Sequence, residues 1–271
     1  MIETSTFWLR VTACLYAVGL LHSLLTLVKY GRSAFALAMG SFRVGVVIHG
    51  VAIIDLAMIL GRIPVDDVSQ SLSLCAFLIA LVYVIVEQRY RLSAISVAIF
   101  PVVFAMTLGA AMERMETLPD PRMRNIWLVV HIVLVLAGYA ALFFGALAAV
   151  AYLFQERRLK NKQSSALLER LPPLATLDSM LSNSFALGFG FLTLGLLFAI
   201  LWASIYLPTG WLGDPSITIS VFTWALLLIT MFLRTSAGWR GRKAAVMALA
   251  VLSCSALTWV AHAGLGATLP Q

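Results

Sequence analysis

Charge is scarce in this sequence. Only 11% of its 271 residues are Asp, Glu, Lys or Arg, where an ordinary soluble domain has roughly 25%. With 61% hydrophobic residues there is too little polar surface to cover a water-soluble fold, so lipid is the solvent for most of the chain. The net charge of +7 does not mark a nucleic-acid partner, because Lys and Arg are confined to short segments between long apolar runs. Cysteine is equally sparse. Cys14, Cys75 and Cys254 lie far apart within apolar runs and form no CxxC, which supports neither a zinc site nor a redox dithiol and leaves buried spectator thiols. No basic region precedes Phe7, and the apolar stretch follows Cys14 where a lipoprotein signal would precede it, so the first apolar run reads as a retained helix. No internal repeat, low-complexity tract or soluble domain is evident, and residues 1–271 read as a single transmembrane domain.

What the sequence does contain is eight apolar segments, each near the roughly 17 to 25 residues that a helix needs to cross a bilayer core. They cover about 7–28, 44–60, 72–86, 94–112, 126–154, 185–207, 217–233 and 244–265. The fold class is therefore all-α, a polytopic membrane bundle of about eight transmembrane helices. The third segment is short, and the fifth is long enough to run on into a strongly basic stretch at 152–162. Pro101 predicts a kink in the fourth, since proline removes a backbone donor and crowds the preceding turn. The longest connection, about 155–183, is basic and then carries Leu171, Pro172, Pro173 and Leu174, which reads as an amphipathic hinge at the headgroup level. Gly188, Gly190 and Gly195 resemble a nucleotide loop only superficially. At the start of a span they are small residues that let helices approach.

Orientation follows from the cations, because short cytoplasmic loops collect Lys and Arg. With the N-terminus outside, the inner side holds Lys29, Arg32, Arg43, Arg89, Arg91, the run from Arg157 to Arg170, and Arg234, Arg240, Arg242 and Lys243, in all 14 of the 19 cations. The outer loops keep Arg62 and Arg114, Arg122 and Arg124, the last three mixed with Glu113, Glu116 and Asp120. Both termini are expected on the outer side of a bacterial inner membrane.

The topology gives each of the four histidines a depth, at about 1.5 Å per helical residue. His22 and His49 fall six and five residues from the inner ends of helices 1 and 2, and form one candidate pair. His131 and His262 fall five and three residues from the outer ends of helices 5 and 8, and form a second. A histidine in lipid needs partners for its ring nitrogens. It can find them in a carbonyl or hydroxyl of a neighbouring helix, or two imidazoles on facing helices can serve as axial ligands of haem, with apolar helix faces as the porphyrin slot. Zinc fits less well, since neither depth offers a third or fourth ligand. Arg10 and Asp55, near the outer ends of helices 1 and 2, suggest a structural ion pair, a propionate contact from Arg10, or a proton or cation path through Asp55.

The stretch Ile126, Trp127, Leu128, Val129, Val130, His131 with Gly138, Tyr139 and Ala140 resembles the histidine-bearing helix of the cytochrome c assembly superfamily that contains CcsA, CcmC, HemX and YpjD. The order downstream agrees. Residues 152–160 resemble the exit from that helix, Leu171 to Leu174 with Leu177 and Asp178 the next segment, then Leu192 to Gly195, Trp224, and Gly238 to Ala245 before the last helix. The resemblance is strongest over about 126–265 and nearest to the YpjD/HemX branch. It implies haem handling: an outer tryptophan-rich loop flanked by two histidines that ligate the iron, positions that His131 and His262 match, and two further membrane histidines for which His22 and His49 are plausible equivalents.

The loop departs from the family pattern. It keeps Trp211 and Asp214, near Trp202, but its WxWD core is degraded and Ser216 stands where a lysine is expected. The resemblance thus implies a haem-binding or haem-transfer protein, with haem b bound through His131, His262, His22 and His49 and contacted by Trp202, Trp211 and Asp214, and without synthetase activity of its own. Haem would pass by ligand exchange from the inner pair to the outer pair, roughly 15 Å or more along the membrane normal. Its partners would be the lipid bilayer, haem and other cytochrome c assembly or membrane proteins. The degraded loop also suits a non-catalytic scaffold of another complex such as an ion transporter, and Asp55 suits a proton or cation transporter.

Overall fold

The computed structural model describes residues 2–28, 32–90, 94–112, 125–162, 171–206 and 215–266. Among them the regular elements are eight α-helices: α1 (Ile2–Val28), α2 (Arg32–Leu60), α3 (Val68–Tyr90), α4 (Ser96–Met112), α5 (Ile126–Lys160), α6 (Leu174–Tyr206), α7 (Pro215–Thr235) and α8 (Arg242–Gly266). Helices α1, α2, α3, α5, α6 and α7 are long and apolar enough to cross a membrane, and α4 is a shorter apolar helix of 17 residues. The expected all-α, polytopic membrane architecture is the observed one.

Most of the helices start earlier than their apolar runs suggest, and in three the cause is visible. α2 begins at Arg32, twelve residues before the expected 44, because its first turns carry polar groups that are satisfied inside the bundle. Ser41 Oγ donates to the Leu15 carbonyl at 2.6 Å, and Arg43 pairs with Glu87 at 3.0 Å. α3 begins at Val68, after Asp67, whose carboxylate accepts the Gln70 amide at 2.6 Å and so acts as the N-cap. α6 begins at Leu174, and the Pro173 carbonyl accepts the amides of Thr176 and Leu177, so proline sits where a helix start tolerates it. The expected hinge at 155–183 shrinks accordingly. α5 runs on to Lys160, and Lys162 follows in the left-handed region (φ 51°).

The helices form two compact units, α1 to α4 and α5 to α8. In the first, each helix contributes one ring to a central cluster: Tyr16 from α1, Phe42 from α2, Tyr83 from α3 and Phe100 from α4, all fully buried. Phe42 and Phe100 stack at 4.1 Å with 3° between planes, and Tyr83 sets its edge against both. Lipid tails are as apolar as these side chains, so close packing rather than water exclusion holds the helices together. Each such ring pair contributes about 0.5–1.5 kcal/mol beyond area burial.

In the second unit, α5 and α6 pack as an antiparallel pair around four glycines. Each glycine is the place where a large side chain of the other helix lands. Leu192 lies over Gly138, Phe185 over Gly145, Leu142 over Gly188 and Val135 over Gly195, at separations where an added Cβ would meet them at 2.7 to 3.0 Å. The glycines stand seven residues apart on each helix, which keeps them on one face over two turns. Gly188 and Gly195 thus act as the expected small contact residues, while Gly190 has nothing within 4 Å and faces outward. α7 joins α6 through Trp224, whose indole N–H donates to Thr193 Oγ1 at 2.9 Å and whose ring stacks on Phe189. α8 packs on α5 and α7.

The turn from α7 to α8 is fixed from α6. Asp178 accepts the Gly241 amide with one carboxylate oxygen (3.1 Å) and an Arg234 N–H with the other (3.0 Å), while Arg234 Nε donates to Ser182 Oγ at 2.9 Å. Gly241 has φ +64°, and the Tyr152 hydroxyl lies 2.7 Å from where its Cβ would be. Both its conformation and its neighbour therefore require glycine.

Candidate functional site

His131 sits on the second turn of α5, against α6. Its Nδ1 lies 2.8 Å from the Gly195 carbonyl oxygen. A carbonyl can only accept, so Nδ1 carries the proton, and Nε2 is the nitrogen whose lone pair is suited to a metal. A ligating histidine is commonly held in this way, by donating its other ring N–H to a carbonyl that fixes both tautomer and ring orientation. The carbonyl is reachable because Gly195 is one of the four close-contact positions, with Val135 Cγ2 packed 3.0 Å from its missing Cβ.

α8 carries the second histidine of the expected outer pair. His131 precedes Tyr152 by 21 residues on α5, and His262 follows Gly241 by 21 residues on α8. Tyr152 and Gly241 touch, and the two helices pack antiparallel. Each histidine thus stands an equal helical rise of about 31 Å along its own helix from that contact. The side chain of His262 is outside what the structure describes, as are Trp211 and Asp214 altogether.

Aromatic rings gather beside His131. Trp127, one turn earlier on the same face of α5, lies 5.6 Å from Phe198 of α6, and four residues further on α6 Trp202 stacks on Tyr206 at 6.4 Å. Phe198, Trp202 and Tyr206 recur every four residues and form a stripe on α6. The sequence reading picked out Trp202 and missed Trp127 and Phe198. The i−4 spacing of Trp127 from His131 and the four-residue recurrence on α6 are the signals that could have found them. A flat aromatic ligand is suited to such a stripe.

The first unit treats its histidines differently. His49 is fully buried, with Nε2 3.0 Å from Ser73 Oγ and Nδ1 3.3 Å from Tyr16 Oη, and with Phe77 edge-on to its ring. Both ring nitrogens are occupied by hydroxyls. His22 is half-exposed and returns Nδ1 to the Val18 carbonyl of its own helix at 2.9 Å. The expected equal depth of His22 and His49 does not hold. His49 touches Tyr16, six residues or about 9 Å along α1 from His22, because α2 starts twelve residues earlier than its apolar run and so places His49 near mid-helix. Ser73→Ala leaves one imidazole nitrogen of His49 buried and unpaired at a cost of about 1–3 kcal/mol. Thermal unfolding in detergent is expected to show it as a lowered Tm, with Ser73→Cys less affected.

Arg10 and Asp55 do not pair. Arg10 is exposed, turned away from the inward-facing Leu9, while Asp55 Oδ2 is buried without a hydrogen-bond partner among the described residues.

The profile of the family described as "Cytochrome C assembly protein" matches residues 65–262, from the loop before α3 to His262 itself. The cytochrome c biogenesis protein CcsA of Prochlorococcus marinus (strain MIT 9301) is 30% identical over 222 residues, covering 72% of this chain and 72% of its own. The protein of the same name from Microcystis aeruginosa (strain NIES-843 / IAM M-2473) is 26% identical over 253 residues, covering 75% and 76%. That from Chlorella vulgaris is 27% identical over 221 residues, covering 69% and 70%.

Proposed function

The chain belongs to the cytochrome c assembly protein family, and from that premise we propose that it binds haem b in the membrane and hands it on during cytochrome c assembly. The observation that carries this reading is the His131–Gly195 hydrogen bond, which fixes the His131 ring on a helix that packs against α8, the helix that carries His262. His131 and His262 would hold the iron through imidazole nitrogens, and the bound haem would stay non-covalently attached and so transferable.

The chain's own residues do the rest. Gly195 aims the His131 ring, and Trp127, Phe198 and Trp202 offer faces on which a porphyrin can stack. Trp211 and Asp214, in the sequence between α6 and α7, are further haem contacts in this reading. The degraded tryptophan core of that loop favours binding and transfer over a synthetase activity. Since His49 has both nitrogens taken and His22 lies at another depth, this reading does not use them as a pair on one porphyrin. The cation distribution supports placing the His131 end on the outer side of an inner membrane.

Protein purified from haem-replete cells is expected to show a Soret band that reduction shifts. Absence of any band in wild-type protein, with reconstitution by added haem also failing, would remove the reading.

A second reading rests on Asp55, because an intramembrane carboxylate with one buried oxygen that has no hydrogen-bond partner among the described residues suits proton or cation movement. Unchanged flux in vesicles reconstituted with Asp55→Asn would eliminate it.

A further inference from the structure

We propose that the end of the α6–α7–α8 group around Arg234 is a binding site for the phosphate of an anionic membrane phospholipid. Arg234 is the one charged side chain in the walls of a narrow cleft whose other faces include Phe185, Met231, Trp239 and Met247. Its side chain is 11% exposed. Nε and Nη2 are used on Ser182 and Asp178, but Nη1 is buried with no hydrogen-bond partner among the described residues. A guanidinium nitrogen left so in an otherwise apolar wall is costly unless an acceptor comes from outside the chain.

The surroundings select an anion. Arg240, Arg242 and Lys243 follow within nine residues, with no acidic residue between them and Arg234, and the Lys243 ammonium lies 5.5 Å over the Trp239 ring. Asp178 is the carboxylate that faces Arg234, and its two oxygens are committed to the guanidinium and to the Gly241 amide. The site lies at the ends of membrane helices, one turn below which the lining is apolar. A headgroup phosphate can therefore sit at the Arg234 guanidinium and Lys243 while its acyl chains follow the apolar lining beside them, Met231 of α7 and Met247 of α8. Basic pockets between membrane helices are known to recognise lipid headgroups by this combination.

The test uses native mass spectrometry of the full chain, delipidated in detergent, with phosphatidylglycerol, phosphatidylcholine or inorganic phosphate added. The expected result is retention of phosphatidylglycerol over phosphatidylcholine, reduced about fivefold by Lys243→Gln and by Arg234→Gln. Because Arg234→Gln also loosens the α7–α8 turn, Asp178→Asn serves as the control: it breaks the same anchor, keeps the guanidinium, and is expected to lower the Tm while retaining phosphatidylglycerol. Equal retention of the two lipids, no change in Lys243→Gln, or displacement of the lipid by millimolar inorganic phosphate would each overturn the proposal.

Discussion

His131→Ala is expected to lower haem affinity by roughly 100-fold or more, because loss of even an outer partner of a ligating histidine costs 10–100-fold. Detergent-purified protein, titrated with haem and followed at the Soret band, would read this directly. His262→Ala should fall in the same range and leave a one-ligand site. The two changes should not add fully, since both ligands act on one iron. Trp127→Ala, which removes a stacking face and leaves the ligands, is expected to weaken binding by about tenfold at most. By contrast, His49→Leu should act on stability first, because it strips Tyr16 and Ser73 of their shared partner inside the ring cluster of the first unit. A haem-binding loss in His49→Leu as large as in His131→Ala, at unchanged Tm, would contradict this division between the two histidines.

Gly138→Leu is expected to cost about 3 kcal/mol or more in stability, at the upper end of overpacking effects. An added Cβ at this position would stand 2.7 Å from Leu192 Cγ and 3.4 Å from the Gly188 carbonyl, so both a side chain and a backbone must move. Helix α6 would be pushed outward over the stretch that holds Gly195, and the Gly195 carbonyl would leave His131. Haem affinity should therefore drop together with the Tm. Gly190→Leu is the matching control, because Gly190 has open space around it and the same substitution adds the same apolar volume. Equal behaviour of the two variants in a thermal-unfolding assay would show that the four-glycine contact does not hold α5 to α6.

The number of helices and their apolar character were legible because they depend on composition alone. Their starting points were not. A run of Ser33, Gly40, Ser41 and Arg43 before an apolar segment looks like a loop, yet Ser41 and Arg43 find acceptors on α1 and α3, and the helix continues through them. The error at the start of α2 then passed straight into depth, and the apparent level of His22 and His49 was its product. The contact of Tyr152 with Gly241, which ties the end of α5 to the start of α8, is one that no periodicity predicts. The role of Gly195 was hidden for a related reason: its functional atom is a backbone oxygen, which every residue has. What made it available was the lack of a side chain, and the paired seven-residue spacing of Gly138 with Gly145 and of Gly188 with Gly195 was the trace of this in the sequence. Asp178 and Gly241, and likewise Thr193 and Trp224, stand far apart in the chain and meet in the fold. Segments that looked like separate family marks are thus two ends of single hydrogen bonds.

The most direct test of the central claim is the electron paramagnetic resonance spectrum of the ferric haem-loaded protein, taken for wild type and for His131→Ala. Two imidazoles on one iron predict a low-spin signal in the wild type that turns high-spin, or is lost with the haem, in the variant. A low-spin spectrum unchanged by His131→Ala would contradict the account, and would place the haem ligands elsewhere in the chain.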